Sequence, residues 1–249
     1  MNRDFEQYLV NYLQLPFEKT FEIYRHKKVM ELIASTNFEK PKNLLEIGPG
    51  LNPIFSNLKE FELVHALEPI KFFYQSNNEE FSKKQSVKFF NSTLDDFYHS
   101  SHKSTSYDLI LLSSVLHEIP NYKQALEQCF SLLSQGGKII IVVPNNKSLH
   151  RMIGEQSGIH PTGEVLTKTE ITMQQNASFS VESLKLQVEL IGFETLSIKT
   201  EFIKIFPHQV MQELMDKKVL NETILDFFSE TSPLIPNFGA EIFYLGTKI

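Results

Sequence analysis

Apolar residues along the first 35 positions fall at helical spacing. Phe5, Tyr8, Leu9, Tyr12 and Leu13 lie at i, i+3 and i+4, and Phe21, Tyr24, Val29, Leu32 and Ile33 follow in a looser form. Pro16 separates the two helices this predicts. Beyond Pro41 the period changes. Short apolar runs at 43–47, 62–67, 87–90, 107–112 and 138–143 read as strands, with helices between them near 70–82 and 122–134. Leu109-Ile110-Leu111-Leu112 is apolar without interruption, which suits a parallel strand covered on both faces. Gln135-Gly136-Gly137 is expected to cap the helix at 122–134, and Pro144 to end the fifth strand.

The last hundred residues read differently. Residues 145–180 are polar and predict an insertion over the C-terminal edge of the sheet. A helix at 181–191 closes at Gly192. Then come a strand at 193–205, one long helix at 209–228 and a final apolar strand at 241–247. Strands alternating with helices over short connections define an α/β layer sandwich, and the closing strands are expected to add an antiparallel edge to a parallel sheet.

Composition narrows the classes. Of 249 residues 41% are hydrophobic, enough for a substantial core, and no run reaches the roughly 18 apolar residues of a membrane span. The first residues lack the apolar stretch of a signal peptide. The one cysteine, Cys129, sits in a helical pattern as an apolar filler and excludes an intrachain disulfide, so a cytoplasmic location is the default. A formal charge of −6 with no basic stripe argues against nucleic acid as partner. A small-molecule substrate is expected instead, and oligomeric state stays open.

The chemistry begins where the first strand ends. Leu44-Leu45-Glu46-Ile47-Gly48-Pro49-Gly50 carries an apolar strand into an acid and a glycine turn, and a second strand, Leu63 to Leu67, ends in Glu68. This is the layout of a nucleotide-type site, with glycines where a backbone must come close to a ligand and an acid placed for ribose hydroxyls. A dinucleotide fingerprint would need a third glycine at position 53, which is Pro53. The turn therefore suits a ligand without a phosphate cradle.

These residues resemble the class I S-adenosylmethionine-dependent methyltransferases. Residues 45–50 look like the first motif of that family and Leu67-Glu68-Pro69 like the second. Asn91-Ser92-Thr93-Leu94-Asp95-Asp96-Phe97 looks like its adenine loop, and Val115-Leu116-His117-Glu118-Ile119-Pro120 like the segment after strand four. The motifs arrive in the family's order over about residues 40–145. The resemblance implies a Rossmann-like, mostly parallel seven-stranded sheet with helices on both faces, an N-terminal helical cap (1–40), a cofactor-binding core (41–145), a substrate-cap insertion after strand five (146–180) and a C-terminal completion of the sheet (181–249), all in one domain. Ser148-Leu149-His150-Arg151 is similar to a small-molecule branch of surface-glycan and secondary-metabolite pathways. That branch often carries Gly-His-Arg-Arg where this chain has Gln174-Gln175-Asn176-Ala177, so a contact made by that histidine does not transfer.

By the resemblance, S-adenosylmethionine is the cofactor and S-adenosylhomocysteine the product. Glu46, Gly48 and Gly50 would line the methionine end, Glu68 would hold the ribose, Pro69 and Ile70 would flank the adenine, Thr93 and Leu94 would meet its edge, and Ser113 would lie near the sulfonium. Arg25 is a candidate for the cofactor carboxylate, or else a solvated arginine. His117 and His150 compete as the base, against plain structural roles for each. Glu118 reads as a helix-start acid. Lys147, His150 and Arg151 form a basic group that would clamp an anionic acceptor or simply face solvent. The other histidines, at 26, 65, 99, 102, 160 and 208, show no metal-ligand spacing. The expected activity is O-methylation of a small polar metabolite, neutral or anionic, such as a sugar or a phosphate- or phosphonate-type compound. The alternatives are a non-catalytic cofactor-binding protein and a nicotinamide dehydrogenase.

Overall fold

The computed structural model describes residues 3–35, 42–58, 61–100, 105–159 and 165–249. Pro41, His102 and His160 lie outside the described residues.

Helices α1 (Phe5–Leu13) and α2 (Glu18–Ala34) open the chain. The Asp4 side chain caps α1 by accepting from the Gln7 N–H, one of the donors a helix start leaves unpaired. The core then alternates: β1 (Asn43–Ile47), a single 3₁₀ turn (Ile54–Asn57), β2 (Leu63–Leu67), α3 (Lys71–Glu80), β3 (Val87–Phe90), α4 (Leu94–Tyr98), β4 (Tyr107–Ser113), α5 (Tyr122–Leu132) and β5 (Leu133–Pro144). Helices α6 (Leu149–Gln156) and α7 (Lys168–Thr172) follow, then α8 (Val181–Ile191), β6 (Phe193–Glu201), α9 (His208–Asp216), α10 (Glu222–Glu230) and β7 (Glu241–Lys248).

The seven strands form one sheet in the order β3-β2-β1-β4-β5-β7-β6. Pairings from β3 across to β5 are parallel; β7 is antiparallel to both β5 and β6. The antiparallel strand is thus not the edge but the one inside it, with β6 outermost. Alternation along the strands divides the core. Leu44, Val64, Leu109, Leu111, Ile140 and Val142 meet Val29, Leu32 and Ile33 of α2 on one face. Leu45, Ile47, Ile110, Leu112, Ile139 and Ile141 meet Ala125, Leu126 and Cys129 of α5 and Leu184 and Val188 of α8 on the other. The unbroken apolar run of β4 reflects this two-sided burial.

Three elements depart from the sequence expectation. The strand expected at 193–205 ends at Glu201, after which Phe202 takes a left-handed φ of 63°. Gly136-Gly137 do not cap α5. The helix stops at Leu132 because Leu133 is extended and pairs with Tyr107, while Ser134 Oγ donates to the Tyr107 carbonyl at 2.9 Å, so both glycines lie inside β5. The single helix expected at 209–228 is two. Lys218 takes a left-handed φ of 59°, and Asn221 caps α10 by accepting from Ile224 N–H. The break lets Met211 of α9 and Leu225 of α10 both pack against Phe17, Phe21 and Tyr24 of the N-terminal helices.

Candidate active site

At the C-terminal ends of β1, β2 and β4 lies a cavity of about 440 Å³, walled by the strand-end loops, α1 and α2, residues of the segment between β5 and α8, and the chain around Lys204–Gln209. That volume is in the range of small-molecule sites, roughly 300–1,000 Å³.

Glu68 stands at the tip of β2, 3% exposed. Its Oε2 accepts from Gly50 N–H at 3.1 Å and its Oε1 from Ile70 N–H at 2.8 Å. Each oxygen keeps a lone pair for a ligand hydroxyl. Burial pushes the carboxyl up to about 7, against the pull of those two amides. Asn77 Nδ2 donates to the Gly50 carbonyl at 2.6 Å, and Asn91 Nδ2 to the Glu68 and Pro69 carbonyls at 2.9 and 3.0 Å. The sequence reading missed Asn77 and took Asn91 only as part of the adenine-loop motif; their amides brace the two loops that carry the site.

Glu46 lines the cavity, but its oxygens accept from Ile54 and Phe55 N–H at 2.8 and 3.0 Å. It holds the turn after Gly50. Burial raises it to about 7 as well, against the two amide bonds. Gly48 and Gly50 have φ of 65° and 61°. A Cβ on Gly48 would come within 2.7 Å of Val115 Cγ2, whereas one on Gly50 would meet only Tyr12 Oη at 3.9 Å. Gly48 therefore serves close packing of one loop on another, and only Gly50 leaves room toward the cavity.

Ser113 ends β4, and Ser114 turns the chain with φ 59° into a one-turn 3₁₀ helix, Leu116–Glu118. Ser113 Oγ and His117 Nδ1 are buried, line the cavity through their residues, and make no hydrogen bond among the described residues. Burial, helped by the charges of Arg25 and Arg3, lowers His117 to about 3, so its ring is neutral and a weak base. Glu118 does not start a helix; it is the last residue of the 3₁₀ turn. It is buried and bonded by Arg3 Nη2 at 2.7 Å and Tyr8 Oη at 2.9 Å, which ties α1 across the cavity. The departure at 174–177 has a structural role. Asn176 and Ala177 N–H donate to the His117 carbonyl, and Gln174 exchanges two hydrogen bonds with the backbone of Asp4.

Arg25 is not solvated. It is 6% exposed, with Nε donating to Glu241 at 2.7 Å and Nη2 to Glu18 at 3.0 Å. Pro69, Ile70 and His150 line the cavity, with His150 Nδ1 lying 3.1 Å from Ser148 Oγ. Thr93 and Leu94 do not: Thr93 caps α4 and Leu94 is packed in the core. The basic group also comes apart. Lys147 is exposed beside Glu182 at 3.4 Å and away from the cavity, while Arg151 lines it but is bound to Glu170. The sequence did not single out Glu18, Lys204, His208 or Glu241, all of which line the cavity. The available signal was a lone charge in an apolar run, as in Ile203-Lys204-Ile205 and Ala240-Glu241-Ile242.

Sheet order and strand-end cavity define an α/β protein of Rossmann-like topology with a site at the C-terminal ends of its parallel strands. The comparisons go further. A family model described as a methyltransferase domain matches residues 21–198. The chain belongs to that family. Probable polyketide synthase 5 of Dictyostelium discoideum is 41% identical over 99 residues, 40% of this chain and 4% of that protein. The chain thus spans only a small part of the curated relatives it matches. Among solved structures, a possible histamine N-methyltransferase of Thermotoga maritima, S-adenosylmethionine-dependent, superposes with a TM-score of 0.57 at 20% identity, covering 94% of both chains. A plantazolicin methyltransferase bound to S-adenosylhomocysteine gives 0.61 at 18%, covering 93% of this chain and 87% of the other.

Proposed function

We propose that this chain transfers a methyl group from S-adenosylmethionine to an oxygen of a small polar metabolite, as a member of the small-molecule branch marked by Ser148-Leu149-His150-Arg151. The observation that carries the reading is Glu68, a buried carboxylate at a strand tip with a free lone pair on each oxygen. The cofactor supplies an electrophilic methyl group. Glu68 would hold its ribose through charge-assisted hydrogen bonds. Gly50 leaves backbone space beside it, and Pro69 and Ile70 offer an apolar surface to its base. Tyr8 and Tyr12 of α1 cover the cavity and exclude water, which strengthens every electrostatic contact inside. For an alcohol acceptor His150 is the better base than His117, because burial leaves the His117 ring a poor proton acceptor. A cytoplasmic setting belongs to the same reading.

A nitrogen acceptor is the second reading. In the cavity wall Glu18, Glu22, Glu46, Glu68, Glu118, Glu170 and Glu241 outnumber Arg3, Arg25, Arg151 and Lys204, and an acidic excess attracts amines. Thermal unfolding with S-adenosylhomocysteine or a nicotinamide dinucleotide tests the cofactor. The homocysteine compound is expected to raise the midpoint in the native chain and not in Glu68→Ala. Stabilisation by the nicotinamide alone would reject the proposal. Labelled methyl transfer into a metabolite extract, with product mass spectra, then separates oxygen from nitrogen. Tight cofactor binding with no transfer would leave a binding protein.

A further inference from the structure

Lys204 follows β6 in the run Phe202-Ile203-Lys204-Ile205. It is 5% exposed and lines the cavity. Among the described residues its ammonium makes no hydrogen bond and no ion pair within 4.0 Å; its recorded contact is the Phe21 ring, 5.3 Å from Nζ to the centroid. The other cations of the wall are engaged. Arg25 is held by Glu18 and Glu241, Arg151 by Glu170 and Arg3 by Glu118. Glu18 also has His208 Nδ1 at 3.7 Å.

Among the described residues the wall therefore keeps one buried lysine or arginine with no carboxylate within 4.0 Å. A buried charge in that position either sheds its proton or takes an anion from outside. Burial lowers the Lys204 ammonium to about 7; Glu18 and Glu241 push it up, Arg25 and Arg151 push it down. Native charges thus bring it close to the balance point, where a bound anion tips it to the charged form.

We propose that Lys204 is the recognition group for the methyl acceptor, receiving a singly charged oxyanion, a carboxylate, through an ammonium–oxygen hydrogen bond. This rests on the cavity being the acceptor site. A carboxylate fits better than a doubly charged phosphate because Glu18, Glu170 and Glu241 stand in the same wall. The basic group expected at 147–151 is thereby replaced as the anion clamp by a residue fifty positions on.

Protein saturated with S-adenosylhomocysteine is titrated with benzoate, benzamide and inorganic phosphate at pH 6.5 and pH 8.5, following the unfolding midpoint and binding heat. Benzoate is expected to bind saturably, more weakly at pH 8.5, and benzamide not to bind. Lys204→Met is expected to bind benzoate about tenfold more weakly or worse, the usual loss for a hydrogen bond to a charged group. Without benzoate at pH 6.5 that variant should melt above the native chain, since the unpaired ammonium is gone. Equal binding of benzoate and benzamide, or no pH dependence in the native chain, overturns the proposal even if the variant does not fold. Tighter binding of phosphate overturns the choice of a singly charged group. Failure to bind S-adenosylhomocysteine would strike the functional reading instead.

Discussion

In the proposed reading Glu68 holds the ribose of the cofactor. Its carboxyl is raised to about 7 by burial, so between about 4.5 and 7 the folded protein holds a proton that the unfolded chain has lost. Folding stability from this group falls as pH rises through that window. Ribose hydroxyls donating to the carboxylate favour the ionised form, so binding must expel the proton. Affinity for S-adenosylhomocysteine should therefore increase from pH 5 to pH 7 and level off above. Calorimetry at pH 6 in two buffers of different ionisation enthalpy should register a released proton, and Glu68→Gln should release none. The residue was legible because an acid after an apolar strand has few structural uses. Glu46 shows the limit of that logic: the same pattern yields an acid whose oxygens hold a backbone turn.

The first helix carries the next level of organisation. Its amphipathic spacing is plain in the sequence, but not what its apolar face covers. Tyr8 packs with Ile70, Phe73 and Met173, Tyr8 Oη bonds Glu118, and Asn11 Nδ2 donates to the Thr172 carbonyl. Helix α1 thus bridges the cofactor loops and the α7 segment. Ligand contacts beneath it should slow its opening. Hydrogen exchange is expected to show S-adenosylhomocysteine protecting Phe5–Leu13 more than Val181–Ile191, which packs with α5 and does not line the cavity. Protection confined to the loop at Gly48–Gly50 would deny α1 its role as a cover.

Across the whole molecule, charge pairs join segments distant in sequence. Arg25 of α2 links Glu18 to Glu241, the first residue of β7, so the second helix and the last strand share one buried network. Arg25→Met would leave both carboxylates unpaired and is expected to cost about 3–5 kcal/mol at pH 7. Urea unfolding should show a lower midpoint with the slope unchanged. The loss should shrink at lower pH, as the Glu241 carboxyl, which burial already raises, takes up a proton. A variant as stable as the native chain would mean the network is solvated.

Strand periods, the glycine turn and the acid after the second strand are local signals, set by the alternation of side chains and the torsions a short segment allows, and from sequence alone they carried the sheet and the meeting of Gly50 and Glu68 at one cavity. The acceptor end had no such signal. Whether Lys147 or Lys204 faces the cavity, and whether Arg25 meets solvent or two carboxylates, depends on which distant elements pack together. A lone charge in an apolar run announces only that something must compensate it. The partner is chosen by the tertiary fold, because the free energy of a buried charge depends on every group around it and not on its neighbours in the chain.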